Sequence, residues 1–274
     1  MSTAAARTPL LQPAVFEDGL GKRFHHRLAT NGEPVEILEL RDGFCTDAFE
    51  QALRERVAVL TAFQRTCFAQ VCGIHRTTQN ASTLFVVSER VSGVRLSTVL
   101  AIARQQRVPL EMNAILCLIR QLVTAVALLH EKMPQIAHGA IALERVVITP
   151  NGRLVVADHV LGSALAQLGY SPDRYWKDLR VVLPPGTPPA LDQRADAMQV
   201  GIIALELILG RSIDREEYPD RIRDLTERAW TGLHQPPSEL QAWLLQMLQL
   251  GPKAGFTSAV DAWGRSRARA RRHP

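Results

Sequence analysis

Two groups of residues in this chain could do chemistry without help from any wider pattern. Cys67, Cys72 and His75 bring two thiols and an imidazole into one short stretch, a donor set that a soft metal such as zinc accepts. The stretch lacks the paired CxxC step of a structural zinc site. The favoured reading is therefore small apolar residues on a buried helix-to-strand connection, with no metal assigned. The second group is Arg265, Arg267, Arg269, Arg271 and Arg272, an acid-free run suited to the phosphates of a nucleic acid or an anionic membrane face. The net charge is +5, and setting those five arginines aside leaves 27 basic residues against 27 acidic ones. The charge excess thus belongs to segment 265–274, which reads as a solvated end or the start of a linker. With a neutral body and aromatic residues at 5%, nucleic-acid binding is not expected and the tail is its only hint.

The elements that must position any site can be read from periodicity. The chain has 274 residues, 46% hydrophobic and 22% charged, which suits one large domain or two closely packed lobes. Residues 1–13 read as a loose arm without the layout of a signal peptide. From 14 to 91 the sequence reads as short strands and one helix. Val35 to Leu40 alternates at strand period after the turn dipeptide Asn31-Gly32, and Thr83 to Ser88 is rich in strand formers. Ala48 to Phe63 sets Phe49, Leu53, Val57 and Leu60 on one helical face.

From 92 to 264 the chain is mainly helical. Met112 to His130 carries a continuous apolar stripe, and Ala195 to Leu209 is apolar nearly all round, as in a helix buried inside a lobe. Between them Arg145–Thr149 and Arg153–Ala157 form a hairpin about Pro150-Asn151-Gly152. The fold class is α+β, with a small β-rich lobe, a larger helical lobe and a ligand cleft between them. The longest apolar stretch, Val200 to Gly210, contains Glu206 and falls short of the roughly 20 residues of a membrane span. Four cysteines (Cys45, Cys67, Cys72 and Cys117) without disulfide density point to a reducing cytoplasm.

The stretch from His138 to Asp158, HGAIALERVVITPNGRLVVAD, resembles the catalytic loop of the protein-kinase superfamily followed by its metal-binding turn. Leu84 to Gly93 resembles the last strand and hinge of the small lobe. Asp196 to Arg211 resembles the central helix of the large lobe. These pieces fall in the family's order over roughly Val15 to Trp263, and the resemblance is to serine/threonine kinases of bacterial type. It implies the two-lobed kinase fold.

The departures bear on activity. Kinases move a phosphoryl group by positioning and charge stabilisation. Gly19 and Gly21 keep two places of the glycine-rich loop, but a plain turn is the better account of them. Leu38 stands where the strand lysine should be, and Glu55 is the candidate for the helix glutamate, with an ordinary surface acid as the other reading. Ala140 replaces the catalytic aspartate, Ala142 the loop lysine, and Arg145 the metal-binding asparagine; only Asp158 remains, in Asp158-His-Val. A methyl group is no base and a guanidinium binds no cation. The resemblance also implies structural roles for His138, packed beneath the loop, and Asp196, accepting backbone hydrogen bonds from the loop and capping its own helix.

The activation segment lacks the glutamate of its closing motif in Val182–Pro189, and the matching arginine is absent from Leu250–Phe256, so that ion pair is gone as a unit. Ala164 to Arg180 reads as helical and anchored; Ser163, Ser171 and Tyr175 are possible phosphosites with nothing to favour them. Arg145 is expected to pair with Asp158 and fill the metal site, the alternative being an arginine in solvent. The function implied is a pseudokinase: a signalling scaffold or regulatory module for a protein partner or neighbouring domain, not an enzyme. No cofactor is assigned, and nucleotide binding is expected to be weak or absent. The alternatives are a residual ATP- and magnesium-dependent transferase using Asp158 with Arg41, Lys22 or Arg23, or a nucleotide held through the hinge at Glu89 to Val91.

Overall fold

The computed structural model describes residues 13–77, 83–186, 190–231, 238–251 and 254–270, with side chains as far as Gly264. The basic tail and residues 1–12, on which expectations fell, lie outside the described side chains.

Asn31-Gly32 makes the turn expected of it: Gly32 takes φ 71°, and the Asn31 side chain accepts the Glu33 N–H at 3.1 Å. The turn joins β2 (Gly21–Arg27) to β3 (Pro34–Leu40) in antiparallel register, Arg23 opposite Leu38. With β1 (Phe16–Glu17), β4 (Val71–Thr77) and β5 (Thr83–Glu89) they form one sheet in the order β1-β2-β3-β5-β4. Period-two alternation sorts the faces of β3. Val35 and Ile37 pack with Val87 in a small outer cluster, whereas Leu38 and Leu40 join the main core. Glu36 shares the inward face with Leu38, an expensive place for a charge unless it is paired.

One helix, α1 (Asp47–Leu60), backs the sheet; Thr46 caps it by accepting the Phe49 N–H at 3.2 Å. The second lobe begins at β6 (Val94–Arg95), which pairs with the hairpin β7 (Val146–Ile148) and β8 (Leu154–Val156). Its helices are α2 (Leu96–Gln106), α3 (Met112–Lys132), α4 (Gly162–Ala166), α5 (Pro172–Leu179), α6 (Gln193–Leu209), α7 (Ile222–Thr231), α8 (Ser238–Met247) and α9 (Ala259–Ala270).

Helix α6 is buried on all sides from Ala195 to Leu207. Asp192 caps it, accepting the Arg194 and Ala195 N–H groups at 2.9 and 3.0 Å. The capping expected of Asp196 is thereby corrected, because that residue lies inside the first turn and its carboxylate faces elsewhere. Helix α3 is long and apolar enough to cross a membrane by length and composition, and here it packs against α6 and α9. Cys72 also departs from expectation. It is exposed on β4, while Cys67 is half-buried, so the pair does not form a buried connection.

Candidate functional site

Asp158 follows β8 with φ 65°, a left-handed conformation that an aspartate tolerates better than most side chains. Its carboxylate is buried against Arg23, which β2 directs inward. Arg23 Nη2 donates to Oδ2 at 2.7 Å and Nη1 to Oδ1 at 3.3 Å, a two-pronged charge-assisted contact. Burial alone would raise the Asp158 pKa, but the charge and hydrogen bonds of Arg23 hold it down at about 2. Arg23 is itself 1% exposed. Burial works against its charge, and Asp158, Asp18 and Glu36 outweigh that and raise its pKa.

The glycine turn is closed by its own side chain. Asp18 Oδ1 accepts the backbone N–H of Leu20 at 2.9 Å and of Gly21 at 3.3 Å. Asp18 Oδ2 meets Arg23 Nη2 at 3.3 Å and Arg145 Nε at 3.7 Å. Those amides are the groups that a turn of this kind offers to an anion. Asp18 thus sits where a bound anion would. The turn is also pressed on the large lobe: a Cβ on Gly19 would fall 1.6 Å from the Asp178 carbonyl oxygen, so only glycine fits.

Glu36 and Arg95 complete the cluster. Glu36 Oε1 accepts from Arg23 at 3.0 Å and from Arg95 at 2.6 Å. Arg95 also donates to the Glu144 carbonyl at 2.6 Å and lies over the Phe16 ring at 4.6 Å. Three arginines (Arg23, Arg95 and Arg145) therefore meet three carboxylates (Asp18, Glu36 and Asp158) between the lobes. The cluster is neutral as a whole, which is how buried charges become tolerable.

The pairing expected between Arg145 and Asp158 does not form. Arg23 takes both oxygens of Asp158 from the small lobe, and Arg145 turns to the Ala140 and Leu179 carbonyls at 3.1 and 2.9 Å and to Asp18. Nor does it point to solvent, being fully buried. Lys22 and Arg41, the other cations considered, are exposed; Arg41 donates to the Asp18 carbonyl at 2.9 Å. Leu38, Ala140 and Ala142 are buried.

Of the two readings of Glu55, the surface acid is the one the structure shows. It is an exposed residue of α1 that accepts from Gln51 at 3.0 Å. The charged residue facing inward is Arg56, which lies on the stripe of Leu53 and Leu60. It donates to the His159 carbonyl at 2.7 Å and, in a very short contact, to the Ala137 carbonyl. Burial lowers its pKa to about 10. A Cβ on Gly162 would fall 2.4 Å from this guanidinium, so that glycine makes its room.

Around the loop 138–145 hydrogen bonds satisfy several buried backbone groups, while Arg145 Nε has no hydrogen-bond partner and only the 3.7 Å contact to Asp18. Asp196 Oδ2 accepts the His138 N–H at 2.6 Å and Oδ1 the Gly139 N–H at 2.7 Å, while His130 Nε2 lies 2.8 Å from Oδ2. Gln199 accepts the Ile141 N–H at 2.7 Å. His138 contacts the Ala157 carbonyl at 3.0 Å and accepts the Ala140 N–H at 3.2 Å, and burial pushes its pKa down to about 4. Glu89 and Val91 stand apart from the cluster. The Glu89 N–H donates to the Gln70 carbonyl at 2.7 Å, and Val91 packs beside Ala69, Val155 and Ala157.

The segment 162–180 is helical, as α4 and α5, and it is anchored by a pair the sequence did not reveal. Arg180 lies over Trp176 at 3.8 Å, donates to the Ile213 carbonyl, and meets Glu206 of α6 at 3.5 Å. The closing motif's missing pair, expected from Val182–Pro189 and Leu250–Phe256, falls partly outside the described residues.

No protein-family model matches the chain, and no curated protein matches it in sequence. Solved structures do match. The PknI kinase domain of Mycobacterium tuberculosis superposes with a TM-score of 0.68 at 16% identity, over 93% of each chain. A second crystal structure of that domain gives 0.66 at 16% identity, over 94% of this chain and 93% of that one. The maize SIRK1 kinase domain bound to AMP-PNP gives 0.62 at 19% identity, over 91% of this chain and 88% of that one.

The chain has the fold of a protein-kinase domain.

Identity at this level carries the architecture and not the chemistry. The cleft of a kinase fold implies a magnesium nucleotide, and the residues here do not fit one. Both oxygens of Asp158 are committed to Arg23, the glycine-turn amides are committed to Asp18, and a guanidinium stands beside each.

Proposed function

We propose that this chain is a catalytically inactive kinase-fold domain, a pseudokinase. It serves as a protein-interaction or regulatory module in a reducing compartment, with nucleotide binding weak or absent. The observation that carries the reading is the cluster of Asp18, Arg23 and Asp158. Side chains of the protein itself hold the positions that a nucleotide's phosphates and its metal need. Ala140 and Leu38 support it, since neither can accept a proton or pair with a phosphate. One misplaced oriented charge costs about 3–4 kcal/mol of transition-state stabilisation, and here several are missing together.

A thermal-shift titration with ATP, alone and with Mg²⁺ or Mn²⁺, tests the reading. No change in melting temperature is expected under any condition. A metal-dependent rise would restore the transferase reading. A metal-independent rise would instead indicate a nucleotide held as a structural ligand.

A further inference from the structure

A second cavity, of about 880 Å³, opens between the α1–β4 connection, residues 89–92 and the turn of the β7–β8 hairpin. It shares no residue with the ion cluster. Arg65, Arg90 and Arg153 line it, with Glu89 as the only carboxylate among the described residues. All three arginines are exposed, and among the described residues none meets a carboxylate. Arg65 donates to the Gln64 carbonyl and Arg153 to Thr66 Oγ1, each at 2.7 Å, both neutral acceptors. In the cavity before the ion cluster, by contrast, Arg41, Arg145, Arg180 and Arg215 face five carboxylates. The half-buried Val91 and the exposed Pro150 give the cavity an accessible apolar patch, whereas Phe68 and Val155 in its lining are buried.

We propose that this cavity docks an extended acidic segment of a protein partner, its carboxylates on Arg65, Arg90 and Arg153 and an apolar side chain on the patch. Uncompensated cations around an apolar patch are complementary to that combination. A nucleic acid fits less well: among the described lining residues the one aromatic ring, Phe68, is 2% exposed and offers no face for base stacking. The proposal rests on the interaction role and gives it a partner chemistry. The cavity shares Glu89 to Val91 with the hinge but no residue with the ion cluster, so R65E and R153E, which lie outside both, separate its failure from that of the nucleotide titration.

The test uses the full chain and three labelled probes: a peptide of alternating Glu and Leu, its Lys-for-Glu counterpart, and a single-stranded RNA of equal charge. Fluorescence anisotropy is read on the wild type, on R65E/R90E/R153E, and on a variant with the five tail arginines changed to glutamine. Exposed charges are replaced, so melting temperatures should hold; R153E alone serves if the triple variant does not fold. The acidic peptide should bind wild type and tail variant alike, weaken with salt, and lose about tenfold or more on triple reversal. The lysine peptide should prefer the reversed protein. Four results would overturn the proposal: no binding of the acidic peptide, binding lost with the tail instead of the cavity, RNA binding more tightly through the same arginines, or a second copy as occupant. The last would appear in sedimentation as self-association abolished by the triple variant.

Discussion

Replacing Arg23 by methionine keeps much of the side chain's volume and removes its charge. Three carboxylates then lose a partner: Asp158, Asp18 and Glu36. The smallest estimate comes from Asp158, whose pKa moves from about 2 to at least its ordinary 3.8, a loss of about 2 kcal/mol. Burial pushes the orphaned carboxylate higher still, so the expected cost is that of breaking a buried pair, about 3–5 kcal/mol. The sign with pH is fixed. A depressed carboxylate stabilises above its unfolded pKa and loses that contribution as pH falls through its folded one, so the gap between wild type and variant narrows as pH is lowered from about 4 toward 2. Urea unfolding, followed by tryptophan fluorescence and circular dichroism at several pH values, reads both effects. The double variant with Asp158→Asn should recover at least about 2 kcal/mol relative to additivity. A single-variant cost below about 1 kcal/mol, or additive behaviour in the cycle, would refute the idea that Arg23 occupies this site as a partner of Asp158.

Three further outcomes follow from the buried groups. Burial raises Glu206 to about 8 against the pull of Arg180, so its ionisation weakens the fold as pH rises from about 4.5 through 8. Glu206→Gln, which still accepts the Ile213 N–H, should stabilise the protein by up to about 5 kcal/mol at pH 9 and change little at pH 5, as chemical denaturation would show. His159 is held neutral, its pKa lowered to about 3 by burial and then by His138, and its Nδ1 has no hydrogen-bond partner beside Phe63 and Phe68. Stability is therefore lost as pH falls from 6.5 toward 4, and His159→Phe should reduce that loss measurably in acid titrations. Gly19→Ala should cost about 1–3 kcal/mol by forcing the turn off Asp178, with faster proteolysis near residue 19 as the local readout.

The two-lobed architecture was legible because its signals are periodic and local. The stripe of α3, the all-round apolarity of α6 and the Asn31-Gly32 turn each act within one element. The cluster was legible only in fragments, because its partners are distant in sequence: Arg23 and Asp158 are 135 positions apart. A usable signal did exist. Lys22 and Arg23 are adjacent in a strand, so one of them had to face inward, and Glu36 shares the Leu38 face of β3. Arg56 was visible in the same way, standing within the apolar stripe of α1, whereas Glu55 lay off it. The resemblance sets Arg145 and Asp158 at one metal site, and no local rule shows that a strand of the other lobe reaches the carboxylate first.

An inactive cleft, as proposed above, could have filled with more side chains like Leu38. Apolar filling is often at least as stable as a buried ion cluster, because desolvating charges offsets most of their attraction. Three guanidiniums and three carboxylates between the lobes are therefore a poor way to gain net stability. They are a good way to penalise misplacement. A shift of β2 by one residue would replace Arg23 with a neighbour facing the other side of the sheet and leave Asp158 buried without a cation. Separating the lobes is different, since it returns each ion to water and recovers its hydration. The cluster accordingly fixes where the lobes meet more firmly than it holds them together. A module recognised by its shape needs the first property, whereas a catalytic cleft that must open and close around a nucleotide needs those positions free.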